Sequence, residues 1–195
     1  DNEPGGRLSE AINAALYQNS HYGIPVIGWA HEMASLDRAD AEAFYDLYYT
    51  PNNAVLVIAG DVSVEEVRRL AEETYGQVPR RAVPPPRLRP IEPAPVAARE
   101  VVLADPQVTL PSIRRLYLVP SYNGTDPDEA FALNVLGEVL GGGPTSRLYR
   151  RLVVEDALAA SAGGWYGGSA LGAETSFGVY AAPRGETSLE TLEAG

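Results

Sequence analysis

The sequence predicts an α+β fold: a mixed or antiparallel sheet with helices packed on one of its faces. Three observations carry that prediction. Several stretches place apolar residues at helical spacing behind recognisable caps. Others are apolar runs too short for a helix, bounded by turn residues, and these read as strands. Finally, a helix, a triple-glycine corner and a second helix run from about Asp126 to Asp156, and a run of small residues ending in Gly163-Gly164 follows them.

In chain order, Arg7 to Tyr17 sets Leu8, Ile12, Ala15 and Leu16 on one helical face. Asn19 to Gly28 is punctuated by Gly23, Pro25 and Gly28 and reads as a loop. Asp37 to Tyr49 is a helix capped by Ser35 or Asp37, with Phe44, Leu47 and Tyr48 inward. After the Thr50-Pro51-Asn52-Asn53 turn, Ala54 to Gly60 is unbroken apolar sequence, expected as a strand buried on both faces. Ser63 and Glu66 make a capping box for a helix from Val64 to Tyr75, closed by Gly76. Seven prolines between Pro79 and Pro95, interleaved with Arg80, Arg81, Arg87 and Arg89, predict an exposed, semi-rigid connector. Ala97–Leu103, Ile113–Val119, Ala157–Tyr166 and Thr175–Ala182 read as strands, and Ser188 to Ala194 opens a last helix. The expected division is residues 1–78, a linker over 79–96, and a second part over 97–195. A strand followed by an acidic helix occurs at Ala54–Tyr75 and at Phe177–Ala194, a weak internal repeat.

The central segment is the most informative. Asp126 to Leu140 carries Phe131, Val135, Leu136, Val139 and Leu140 on one face. Gly141, Gly142 and Gly143 stop that helix, and Pro144 suits the first position of the next. The second helix turns Leu148 and Leu152 inward and Arg147, Arg150 and Arg151 outward, a solvated basic face. A phosphate-binding loop is excluded, because no strand precedes the glycines and no Gly-Lys-Ser/Thr follows them. A tight helix–helix turn is one reading of the corner.

Composition narrows the functional classes. The 195 residues include 45% apolar and 21% charged side chains, and the chain is long enough to bury a core. A formal net charge of −11 argues against nucleic acid and anionic membranes and favours basic peptides. The absence of cysteine removes thiolate metal sites and disulfides. No apolar run approaches the ~20 residues of a membrane span. The sequence opens at Asp1 without an initiator methionine and reads as an excised segment or a mature form.

Two stretches carry a resemblance. LGGGPTSRLYRRLV (residues 140–153) is similar to the glycine-rich turn of the pitrilysin/insulinase-type zinc peptidases, the inverzincins with an H-x-x-E-H motif. FYDLYYTPNNAVLVIAGDVSVEEVRRLAEETYG (Phe44 to Gly76) resembles a second stretch of that family, in the right order. The resemblance implies a duplicated-domain metallopeptidase fold, of which this chain covers the end of the first domain and most of the second, inactive one. It also implies zinc in the parent protein, where metal-bound water attacks a peptide carbonyl.

This chain holds only His21 and His31 and no H-x-x-E-H, so no catalytic residue and no zinc ligand is expected within it. His21 in Ser20-His21-Tyr22-Gly23 reads as structural, His31-Glu32 as a solvated pair, and Ser20-His21 lacks the context of a serine nucleophile. By resemblance, backbone groups of the glycine corner and of a later Gly-Gly hold an extended peptide. The corresponding positions are Gly141, Gly142, Gly143, Pro144, Thr145, Ser146, Gly163 and Gly164. Relatives contact peptide with an arginine and a tyrosine whose places here are Val153 and Ala160, so that contact is lost.

The implied role is a non-catalytic segment that completes a peptide chamber in a zinc-dependent endopeptidase. Its partners would be peptide or unfolded polypeptide and a second family subunit, in a hetero- or homodimer. The compartment is unknown, the bacterial periplasm being favoured by resemblance alone. A purely structural core-subunit homologue is the alternative.

Overall fold

A computed structural model describes residues 3–124 and 126–195. Contacts divide it into two compact units: Val26–Leu88, and the segment up to Pro25 together with Arg89–Gly195. The division falls at Pro25/Val26, inside the expected first part, and at Leu88/Arg89, inside the proline-rich stretch.

The smaller unit holds three helices, α2 (Ala30–Met33), α3 (Arg38–Tyr48) and α4 (Val64–Glu73). Asp37 and Asp40 form a reciprocal capping box at the start of α3, and Ser63 Oγ accepts from the Glu66 N–H at the start of α4. Leu47 and Tyr48 are half-buried as the periodicity predicts, but Phe44 is exposed. The expected strand Ala54–Gly60 does not form, and Val55 and Val57 are 90% and 83% exposed. A strand buried on both faces needs a ladder partner on each side, and among the described residues none pairs with this run. The repeat seen in the sequence therefore keeps its helical half only.

The larger unit contains α1 (Pro4–Leu16), β1 (Ile113–Pro120), α5 (Pro127–Gly141), β2 (Ala159–Tyr166), β3 (Glu174–Pro183) and α6 (Leu189–Ala194). The sheet is wholly antiparallel with order β1-β3-β2. Register sets Ile113, Ala181 and Ala162 in one cross-strand row. With Leu152, Val153, Ala159 and Leu192, those two alanines form the core, and Ile113 packs against it. On that face also sits α5, by a stripe of small residues. Ala130 is fully buried, and Gly137 faces Tyr166 and Phe177. The Phe131, Val135, Leu136, Val139 face expected inward is instead exposed. Small residues let a helix approach a sheet closely, so the bare stripe rather than the bulky one takes the contact.

Two further expectations are corrected. Ala97–Leu103 is not a strand; side chains tie this region instead, with Arg99 donating to the Ala15 carbonyl and Arg7 paired to Asp105 at 2.9 Å. Nor is the proline-rich stretch exposed throughout. Glu92 is buried, and its carboxylate accepts from the N–H groups of Gln18, Asn19 and Ser20 at 2.5, 2.9 and 2.7 Å. Burial alone would raise its pKa. The three N–H donors, with Arg99 nearby, outweigh that and hold the carboxyl below its ordinary value.

Candidate peptide-binding edge

A sheet of order β1-β3-β2 has two outer strands, and their edges differ. Along β1, Ala94 and Pro95 share a cavity of about 280 Å³ with Leu118, Val119 and Pro120, and Pro120 has no N–H to offer. Along β2, the described residues place no strand opposite the outer edge. Alternate peptide groups of an antiparallel edge strand point away from their neighbour, so β2 presents unpaired N–H and C=O groups there.

The glycine corner meets this strand. A Cβ built on Gly141 would fall 1.8 Å from the Gly164 amide nitrogen, so the end of α5 and the middle of β2 touch backbone to backbone. Gly163 is buried and Gly164 half-buried. Gly142 caps the helix at φ −73°, and the positive φ expected in the corner lies one residue on, at Gly143 (φ +151°). Gly142, Pro144 and Thr145 are exposed and Gly143 is half-exposed. Ser146 is 4% exposed, and its hydroxyl is closed off with no hydrogen-bond partner. The structure thus brings Gly141, Gly163 and Gly164 together, leaves residues 142–145 open beside them, and turns the Ser146 side chain away.

The second helix differs in kind from the α-helix its spacing predicts. Residues Tyr149–Glu155 form a π-helical segment, an arrangement frequent near functional sites. Leu152 is buried and Leu148 partly so, as expected. Arg147, Arg150 and Arg151 lie on the open side. Arg150 pairs with Glu155 at 3.3 Å, and Arg151 with Asp156 at 2.8 Å. Val153 is 7% exposed and belongs to the core, whereas Ala160 is exposed. These two positions therefore do not share an open face. Ala160 is the extra residue of a bulge, since Ala159 and Ser161 oppose consecutive residues Pro183 and Ala182.

Sequence reasoning overlooked the aromatic side chains around the strand. Tyr166 donates its hydroxyl to the Pro120 carbonyl at 2.6 Å, and burial raises its pKa. Trp165 and Tyr180 lie with ring centroids 6.3 Å apart. The available signal was a glycine two residues from an aromatic in each strand, Gly163/Trp165 and Gly178/Tyr180.

Among the described residues, no group of three or more His, Cys, Asp or Glu side chains is placed to hold a metal ion. The described residues do not fit a zinc centre. No described helix is long and apolar enough to cross a membrane.

Comparison with known proteins follows the same lines. A family model described as the peptidase M16 inactive domain matches residues 35–194. The zinc protease PqqE of Helicobacter pylori is 31% identical over 166 residues, covering 83% of this chain and 36% of that protein. Among solved structures, a protease from Helicobacter pylori superposes with a TM-score of 0.77 at 27% identity, covering all of this chain and 46% of that one. The peptidase M16 inactive domain from Pseudomonas fluorescens gives 0.73 at 22% identity, over 98% of this chain and 45% of that one, a likeness of fold. The chain spans about a third of the length of the curated relative it matches.

Proposed function

Because the chain belongs to the pitrilysin-type zinc protease family, as its peptidase M16 inactive domain, we propose that it completes the peptide-binding chamber of a zinc-dependent endopeptidase. Zinc and the catalytic residues would lie elsewhere in the longer protein, and a second family subunit would close the chamber. The observation that carries this reading is the open outer edge of β2 lying directly against the glycine corner. An extended peptide can add to such an edge through main-chain hydrogen bonds. The exposed backbone at 142–145 offers groups for its amino-terminal end. Ala160, at the bulge, sits where the strand bends.

Hydrogen exchange on the 195-residue chain tests it. An acetylated, lysine-flanked extended peptide should slow exchange at the outward amides of residues 160–166, and N-methylation of alternate peptide amides should abolish the effect. Protection elsewhere, or none, overturns the reading in favour of a purely structural homologue. Zinc is expected at well under one ion per chain after dialysis, and one tightly held ion would place the metal in this segment after all.

A further inference from the structure

The two faces of the sheet are unlike at β2. On one, Ala162, Gly164 and Tyr166 face the core and α5. On the other lie Ser161, Gly163 and Trp165, the side chains that alternate with them along the strand. Register pairs Gly163 with Tyr180 and Trp165 with Gly178. Each ring leans across onto the glycine of the facing strand. A Cβ on Gly178 would come within 2.3 Å of the Trp165 ring, and one on Gly163 within 2.8 Å of the Tyr180 hydroxyl. Covering bare backbone accounts for one face of each ring. The other faces water: Trp165 is 37% exposed and Tyr180 42%.

A strand added to the β2 edge would place every second side chain on this aromatic side, with Cβ atoms about 5 Å from their cross-strand neighbours. Ser161 and Gly163 offer such a side chain little surface, and Trp165 offers a ring. We propose that Trp165, backed by Tyr180, is the specificity-determining contact of this edge, selecting extended peptides with an aromatic side chain on the residue that faces it. This rests on the strand-addition reading above. An aromatic ring on that residue meets the exposed face of Trp165 in offset or edge-to-face contact, which adds to the area it buries.

The test uses the 195-residue chain and three labelled, acetylated, lysine-flanked peptides that differ only in a central Phe, Ala or Arg. Anisotropy titrations should show the Phe peptide binding about tenfold more tightly than the Ala peptide, with the Arg peptide close to Ala. Trp165→Leu keeps an apolar cover on Gly178 and should shrink the Phe preference to below about twofold. Equal binding of Phe and Ala peptides, a preference for Arg, or a Phe preference that survives Trp165→Leu overturns the assignment but leaves strand addition standing. If none of the peptides binds, strand addition fails and the assignment fails with it.

Discussion

Gly141 and Gly164 meet backbone to backbone: a methyl group on the first would fall 1.8 Å from the amide nitrogen of the second. Neither atom belongs to a flexible side chain, so Gly141→Ala has to move α5 off the sheet. That should cost about 2–3 kcal/mol, the usual range for forced overpacking. Gly143→Ala meets nothing within 4 Å but keeps φ at +151°, and about 1 kcal/mol is expected there. Thermal melts of the two variants should differ clearly, and equal losses would mean that backbone strain alone limits the corner.

Glu92 holds three consecutive N–H groups with one carboxylate. Glu92→Gln turns an amide NH₂ toward those donors and removes the charge, which should cost about 2 kcal/mol. The folded pKa lies below the unfolded one, so the charge contributes fully above the unfolded value and is lost as pH falls through the folded value. Urea midpoints of wild type and variant should therefore differ at pH 7 and converge in acid. A constant gap would place the effect in packing instead.

Val153 and Ala160 separate two roles that sequence comparison put together. Val153→Arg buries an unpaired charge in the core formed with Leu152, Ala162 and Leu192, and loss of the cooperative fold is expected. Ala160→Tyr, on an exposed bulge residue, should change stability by less than about 0.5 kcal/mol. Circular dichroism melts decide both, and a well-folded Val153→Arg protein would show that this helix can roll outward.

Trypsin should first cut after Arg80 or Arg87. The guanidinium of Arg81 lies over the Tyr45 ring at 5.0 Å, and the backbone N–H of Arg81 donates to Thr50 Oγ1 at 3.2 Å. Arg89 donates to the Leu171 carbonyl at 2.7 Å. Arg80 and Arg87 are exposed and, among the described residues, make no hydrogen bond or ion pair. Open, unbonded backbone is where proteases act. A first cut at Arg147, Arg150 or Arg151 would contradict this.

Legibility followed the range of the interactions involved. Caps act within a few residues, so Asp37 and Ser63 announced their helices. Strand formation depends on a partner, which is why Ile113–Pro120 forms a strand and the more apolar Ala54–Gly60 does not. For α5, hydrophobic spacing named the wrong face, because Ala130, Gly137 and Gly141 allow a closer approach than Leu136 or Val139 would. The Glu92 tie spans 72 to 74 positions of sequence, and no local pattern signals it. At the candidate edge, the glycines were legible as glycines; their mutual contact and the rings above them arise only when β2 and β3 are in register.

The strand order also has a consequence for synthesis. β3 is central in the sheet yet last of the three along the chain. While the nascent chain leaves the ribosome, β1 and β2 have no mate until the polypeptide has been extended through Pro183. Ile113 waits for Ala181, and the tail of β2 waits for Phe177. The β2–β3 ladder then closes locally, from Tyr166 on Phe177, whereas the β1–β3 ladder pairs residues as far apart as Ile113 and Ala181, the kind of contact that forms slowly. Until that moment β2 is open on both sides, and a chaperone that shields extended segments would find its natural client there.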